Sequence, residues 1–155
     1  MATSSLARYK DNSAILSEQE ILDRVIDAQP TEPFMLNNQN FCLIAEIKKT
    51  SPSSGNLSGD DFQMRQQVSD YIKGRADIIS VLTEPSRFSG SLDDLKELNN
   101  AFPDVAFMRK DFLVHPYQVS EALYYGASGV LLITAILDEG QLEEMIKRAL
   151  EHNMF

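Results

Sequence analysis

The chain has 155 residues, with 14 Lys+Arg against 23 Asp+Glu and a formal net charge of −9, which argues against the basic surface that nucleic acid requires. Hydrophobic residues make up 43% and charged residues 24%, with only 7 Gly and 6 Pro, the balance and length of one globular domain rather than a disordered segment. A lone cysteine, Cys42, excludes an internal disulfide. The longest uncharged apolar run, Ala122–Leu137, is broken by Gly126 and Gly129 and falls short of the roughly 20 residues that span a bilayer. No leading segment has the basic, apolar and small-residue order of a signal peptide, so the expectation is a cytoplasmic chain with neither nucleic-acid nor membrane partners.

The first 40 residues are polar and weakly patterned. Within them, Ser17 followed by Gln19, Glu20, Ile21, Leu22, Val25 and Ile26 reads as a short, serine-capped amphipathic helix at the periphery. From residue 41 onward, short apolar runs alternate with longer helical patterns. The runs are Cys42–Ile47, Ile78–Leu82, Val105–Met108 and Gly129–Ile133, each nearly continuous in apolar content, as parallel strands covered on both faces are. Between them stand helix-start signals: Ser58 with Asp61, Ser91 with Asp94, Pro116, and Asp138 with Gln141. They predict helices over 60–73, 91–100, 116–125 and 138–152. The organisation expected is an N-terminal extension over 1–40 and four βα units over 41–155.

Alternation along the first strand puts Ile44, Glu46 and Lys48 on one face. A carboxylate and an ammonium thus point the same way where ligands bind in βα folds, at the C-terminal ends of the strands. For a lone E-x-K the ordinary reading is a solvated ion pair, but a strand flanked by helices has no solvated face. The third strand runs out through Arg109, Lys110 and Asp111, and Lys110 comes from the strand next but one to that of Lys48, so in a closed barrel the two can share an interior layer. The hydroxyl-rich segment Thr50-Ser51-Pro52-Ser53-Ser54-Gly55 could hold a phosphate or simply turn; it lacks the order of a P-loop. Phe88, in the loop after the second strand, packs locally or stacks on a ligand. His115 and His152 have no metal-ligand spacing, and neither a G-x-S-x-G nor a G-x-G-x-x-G pattern occurs.

Four ordered segments together carry a more specific signal. Ile44-Ala45-Glu46-Ile47-Lys48-Lys49-Thr50-Ser51-Pro52-Ser53, Ser80-Val81-Leu82-Thr83-Glu84 with Phe88-Ser89-Gly90-Ser91, Arg109-Lys110-Asp111-Phe112 and Leu131-Leu132-Ile133 resemble indole-3-glycerol phosphate synthase from Leu43 to the last residue. The resemblance implies an α/β chain of the (β/α)8 TIM-barrel class, here about its first four units plus an N-terminal helix. The implied activity is that of a carboxy-lyase of tryptophan biosynthesis. It closes the indole ring of 1-(2-carboxyphenylamino)-1-deoxyribulose 5-phosphate with loss of carbon dioxide and water, without a cofactor or metal.

By the same resemblance Lys110 would be the general acid, and Lys48 would pair with the anionic groups of this phosphorylated small-molecule substrate and assist proton delivery. Glu46 would orient the lysine and touch the anthranilate part. Pro52, Phe88, Phe112, Leu131 and Ile133 would surround the aromatic ring, and Ser51 would line the first loop. Cations for the substrate's carboxylate and phosphate would come from Lys48, Lys49, Arg109 and Lys110. A (β/α)8 barrel typically takes about 250 residues, and in the family the second half carries the general-base glutamate and the phosphate-binding loops. A chain of four units is therefore expected to need a complementary C-terminal half or self-association. A half-barrel homodimer and a phosphate-binding or interaction module without catalysis stay open beside the synthase reading.

Overall fold

The computed structural model describes residues 1–25, 41–51, 55–56 and 64–155. Two helices, α1 (Ala2–Ile15) and α2 (Glu18–Val25), precede the first strand, β1 (Ile44–Ile47). A small antiparallel hairpin follows, β2 (Thr50–Ser51) against β3 (Gly55–Asn56). Then come α3 (Met64–Lys73), β4 (Ile78–Leu82), the single-turn α4 (Pro85–Phe88), α5 (Leu92–Ala101), β5 (Phe107–Lys110), α6 (Tyr117–Tyr124), β6 (Gly129–Val130) and α7 (Glu139–Glu151). Among the described residues no helix is long and apolar enough to cross a membrane.

The four apolar runs become one parallel sheet in the order β1-β4-β5-β6, each strand joined to the next through a helix. Sequential parallel neighbours with helices between them form the repeating unit of a β/α barrel. The last residue lies along β6: the Phe155 N–H donates to the Ser128 carbonyl at 3.2 Å, and the Phe155 carbonyl accepts from Val130 N–H at 2.9 Å.

Alternation sorts the strand residues between two environments. Ile47, Ile79, Val81, Phe107 and Val130 face the helices and form the core with Val68, Leu95, Leu98, Val119, Ala122 and Met145. Glu46, Leu82 and Lys110 face the other way, towards the concave side. The helix-start signals hold in detail. Ser91 and Asp138 each make a reciprocal capping box, with Asp94 and Gln141, and such caps are worth about 1 kcal/mol each. The signal at Ser58 and Asp61 falls outside the described residues.

Two expectations need correcting. Apolar content predicts a strand to Ile133 for the fourth run, but regular pairing covers only Gly129–Val130, and the chain enters a 3-10 turn over Thr134–Ile136. Leu131 N–H still donates to Arg109 carbonyl at 3.1 Å, so the backbone leaves the ladder just beyond it. The helix after Ser17 is not peripheral: Ile21 and Val25 are fully buried in the core cluster, packed where α2 meets α6.

α1 had no counterpart among the predicted elements. Its docking stripe is polar: Ser5 Oγ accepts from Gln118 Nε2 at 3.0 Å, Arg8 pairs with Asp111, Tyr9 stacks on His115 at 3.9 Å between ring centroids, and Asn12 Nδ2 donates to Glu121 at 2.7 Å. Spacings of three and four residues make that stripe one helix face, but a hydropathy pattern is blind to it.

Candidate active site

The register of the sheet explains why the pocket residues meet. Glu46 pairs with Ser80, Ser80 with Met108 and Met108 with Gly129, so these four stand in one layer. Two residues further along each strand come Lys48, Leu82, Lys110 and Leu131, with Leu82 directly opposite Lys110. That second layer rims the C-terminal end of the sheet.

There it bounds a cavity of about 90 Å³, lined by Glu46, Lys48, Leu82, Phe88, Lys110, Asp111, Phe112, Leu131 and Ile133. Seven of the residues singled out from the sequence therefore share one cavity: Glu46, Lys48, Phe88, Lys110, Phe112, Leu131 and Ile133. Ser51 stands in β2, and Pro52 lies outside the described residues. Leu82 and Asp111 stand in the quoted segments but carry no expected site role; the position of Leu82 opposite Lys110 on the neighbouring strand, and of Asp111 directly after Lys110, is the signal that points to them.

Glu46 joins the two lysines. One carboxylate oxygen is 2.7 Å from Lys48 Nζ, and the other accepts from Lys110 Nζ. Burial alone would raise the Glu46 pKa, but hydrogen bonds from Lys110 and Lys48, reinforced by their charges, hold it below the usual carboxylate range. A depressed carboxylate pKa stabilises the folded state above its unfolded value, and that contribution disappears as the pH falls through the folded value. Thermal melts taken as the pH falls below about 4.3, the ordinary glutamate value, should therefore show a loss of stability that is smaller in Glu46→Gln. An identical acid limb in the variant would remove the linkage.

The apolar wall is set by the segment after β4. Glu84 accepts from Ser86 N–H and Arg87 N–H and so caps α4, whose last residue is Phe88. Ser89 then turns left-handed at φ 53°, and Gly90 passes so close to β4 that a Cβ there would lie 2.0 Å from the Leu82 carbonyl oxygen. Ser91 caps α5 directly afterwards. Gly90→Ala should therefore push the Phe88 turn off the strand at a cost of about 1–3 kcal/mol, read as a lower melting temperature; an unchanged melt would contradict the close approach.

Two expected cations are elsewhere. Arg109 alternates to the helix side of β5 and is 2% exposed, bonded to Glu121 at 2.8 Å and to the Gln118 carbonyl at 3.0 Å. Lys49 turns away to Asp94, 2.7 Å from each carboxylate oxygen. Of the four cations expected to meet substrate anions, only Lys48 and Lys110 line the cavity. The hydroxyl-rich loop begins as the β2–β3 hairpin, and Thr50 Oγ1 donates to the Arg87 carbonyl at 3.2 Å, tying it to the turn that carries Phe88.

The profile of the indole-3-glycerol phosphate synthase family matches residues 10–155. The chain belongs to that family. Its members are (β/α)8 barrels, and the four-stranded parallel sheet is a partial barrel of that class. Among similar proteins, the indole-3-glycerol phosphate synthase of Mycolicibacterium smegmatis is 43% identical over 139 residues, 87% of this chain and 50% of that protein. That of Lachnospira eligens is 36% identical over 143 residues, 90% of this chain and 52% of its own. That of Mycobacterium leprae is 48% identical over 115 residues, 73% and 41% respectively. The chain spans about half the length of the curated relatives it matches.

Proposed function

We propose that this chain carries the acid and aromatic-binding half of an indole-3-glycerol phosphate synthase site, acting on 1-(2-carboxyphenylamino)-1-deoxyribulose 5-phosphate in the carboxy-lyase step of tryptophan biosynthesis. The observation that carries the reading is the Lys48–Glu46–Lys110 arrangement on the wall of a cavity otherwise lined mainly by Leu82, Phe88, Phe112, Leu131 and Ile133. An apolar slot beside two ammonium groups suits an aromatic ring bearing a carboxylate, and an ammonium placed at its edge can deliver a proton to a carbonyl oxygen as the ring carbon attacks.

In this reading Lys110 is the general acid. Lys48 meets the substrate's anionic groups, and Glu46 holds both lysines aimed into the cavity until substrate takes up their hydrogen bonds. Phe88, Phe112, Leu131, Ile133 and, from the first loop, Pro52 and Ser51 enclose the aryl ring. No cofactor takes part: the protein's contribution is positioning, proton transfer and exclusion of water.

The substrate's phosphate and the general base are assigned to four further βα units, in the same polypeptide or in a second one that completes the sheet. Exposed apolar residues at the start of β1 support such completion: Phe41 is 88% exposed and Ile44 49%. The test is indole fluorescence from the purified chain given the substrate, alone and with a polypeptide that supplies those units, with Lys110→Ala alongside. Product that depends on Lys110 supports the reading. Product that persists without Lys110, or none from the completed assembly, removes it.

A further inference from the structure

The walls of the cavity are joined from outside by one side chain of α1. Arg8 Nη2 lies 2.6 Å from Asp111 Oδ1, and Arg8 Nη1 lies 3.5 Å from Glu84 Oε1. Both carboxylates are 1% exposed, whereas Arg8 is 22% exposed. Asp111 sits between Lys110 and Phe112 at the end of β5, and its Oδ1 also accepts from Phe112 N–H at 2.8 Å. Glu84 ends the segment after β4, and its Oε1 also accepts from Ser86 N–H at 3.1 Å, at the start of the turn that carries Phe88. Arg8 therefore shares an acceptor oxygen with one backbone amide on each wall.

The charge balance shows why a cation is needed there. Asp111 and Glu84, just past the ends of β5 and β4, and Glu121 on α6 are three buried carboxylates, and Arg109 is the buried cation among them, bonded to Glu121 and 3.5 Å from Asp111. Without Arg8, Glu84 keeps hydrogen bonds but has no cation within ion-pair distance among the described residues, and Asp111 keeps hydrogen bonds from Thr83 Oγ1 at 3.1 Å and Phe112 N–H, with a long contact to Arg109 for its cation. A buried carboxylate left without its cation rearranges towards solvent or neutralises. Either response moves the backbone that sets Lys110, Phe112 and Phe88.

We infer that Arg8 is a positioning residue: from a helix that contributes nothing to the cavity lining, it fixes the end of β5 and the start of α4 so that Lys110, Phe112 and Phe88 face one space. The inference rests on the synthase reading for its catalytic meaning but not for its structural content. The test is residue-resolved hydrogen exchange on the chain and on Arg8→Met and Arg8→Lys, together with the affinity of each for the arylamino ketose phosphate.

In Arg8→Met the amides of Ser86 and Phe112 should exchange about ten-fold faster or more, the lower end of what a hydrogen bond to a buried charge supplies. The amides of Ile79 and Val81, in the middle of β4, should keep their rates. Arg8→Lys, which restores the charge, should return Ser86 and Phe112 to within about three-fold of the parent. Substrate affinity should fall and recover in the same order. Unchanged exchange in Arg8→Met, acceleration spread equally to Ile79 and Val81, or no recovery in Arg8→Lys would each overturn the assignment. A parent chain that binds no substrate even when completed by the further βα units would remove the synthase reading alone, because the exchange pattern still decides the role of Arg8.

Discussion

Arg109→Met is expected to lower the melting temperature by roughly 10 °C or more, the largest stability effect of any single substitution considered. The side chain is 2% exposed and Glu121 is 3% exposed; Asp111 keeps Arg8 at 2.6 Å when the guanidinium is removed, but Glu121 is left buried without the cation it pairs with. Arg109 bonds Glu121 at 2.8 Å, the Gln118 carbonyl at 3.0 Å and Thr83 Oγ1 at 3.3 Å, and methionine fills the volume without replacing any of them. Breaking a buried pair by removing one partner costs about 3–5 kcal/mol. For a domain of this size each kcal/mol is worth about 2–4 °C. The comparison is Arg65→Met: its partner Glu97 is 47% exposed, and an exposed pair contributes about 0–1 kcal/mol. Two similar melts, followed by circular dichroism, would show that the Arg109 network is not what holds α6 to the sheet.

Arg109 also marks how far the sequence could be read. The four strands and the helices that begin at Ser91, Pro116 and Asp138 follow from apolar runs and caps, which act within a few residues and leave a local signature. The cavity was legible for a related reason: strand alternation and parallel register are enough to bring Glu46, Lys48 and Lys110 to one rim. Alternation applied to Arg109 would likewise have sent it to the helix side, one residue out of phase with Lys110. The expectation that it serves the substrate treated a run of charges as one feature, whereas a strand divides such a run between its two faces.

The N-terminal helices show the other boundary. α2 gave a pattern, but its depth of burial depends on α6, about 100 residues away in the chain, and no local rule reports that. α1 meets the fold through Ser5, Arg8, Tyr9 and Asn12. Polar contacts of this kind are specified by the partners they find, Gln118, Asp111, His115 and Glu121, and those partners are named only by the tertiary structure. Burial of polar side chains is thus where sequence reasoning ran out, and in this chain the same residues connect the N-terminal extension to the strand ends that bear the candidate site.

In the completed assembly, Lys110→Met should reduce product formation by about 10²–10⁴, the usual contribution of a positioned general acid, while leaving the melting temperature near that of the parent. The lysine is 37% exposed at the cavity rim, so its aliphatic stem can be replaced by methionine with little change in packing. What is lost is the ammonium that Glu46 holds in place. Removing an interaction used mainly in the transition state lowers kcat and kcat/KM together, so KM should stay within a few-fold of the parent. Phe112→Ala should behave in the opposite way. It removes part of the apolar wall beside Lys110 and should raise KM with kcat largely kept, because burying an aromatic ring contributes about 1.5–3 kcal/mol to binding and none to proton transfer. Steady-state kinetics by indole fluorescence on the two variants separates the roles. If Lys110→Met raised only KM, the lysine would be a binding group, and the acid would have to be sought at Lys48, whose ammonium is held by the other oxygen of the same carboxylate.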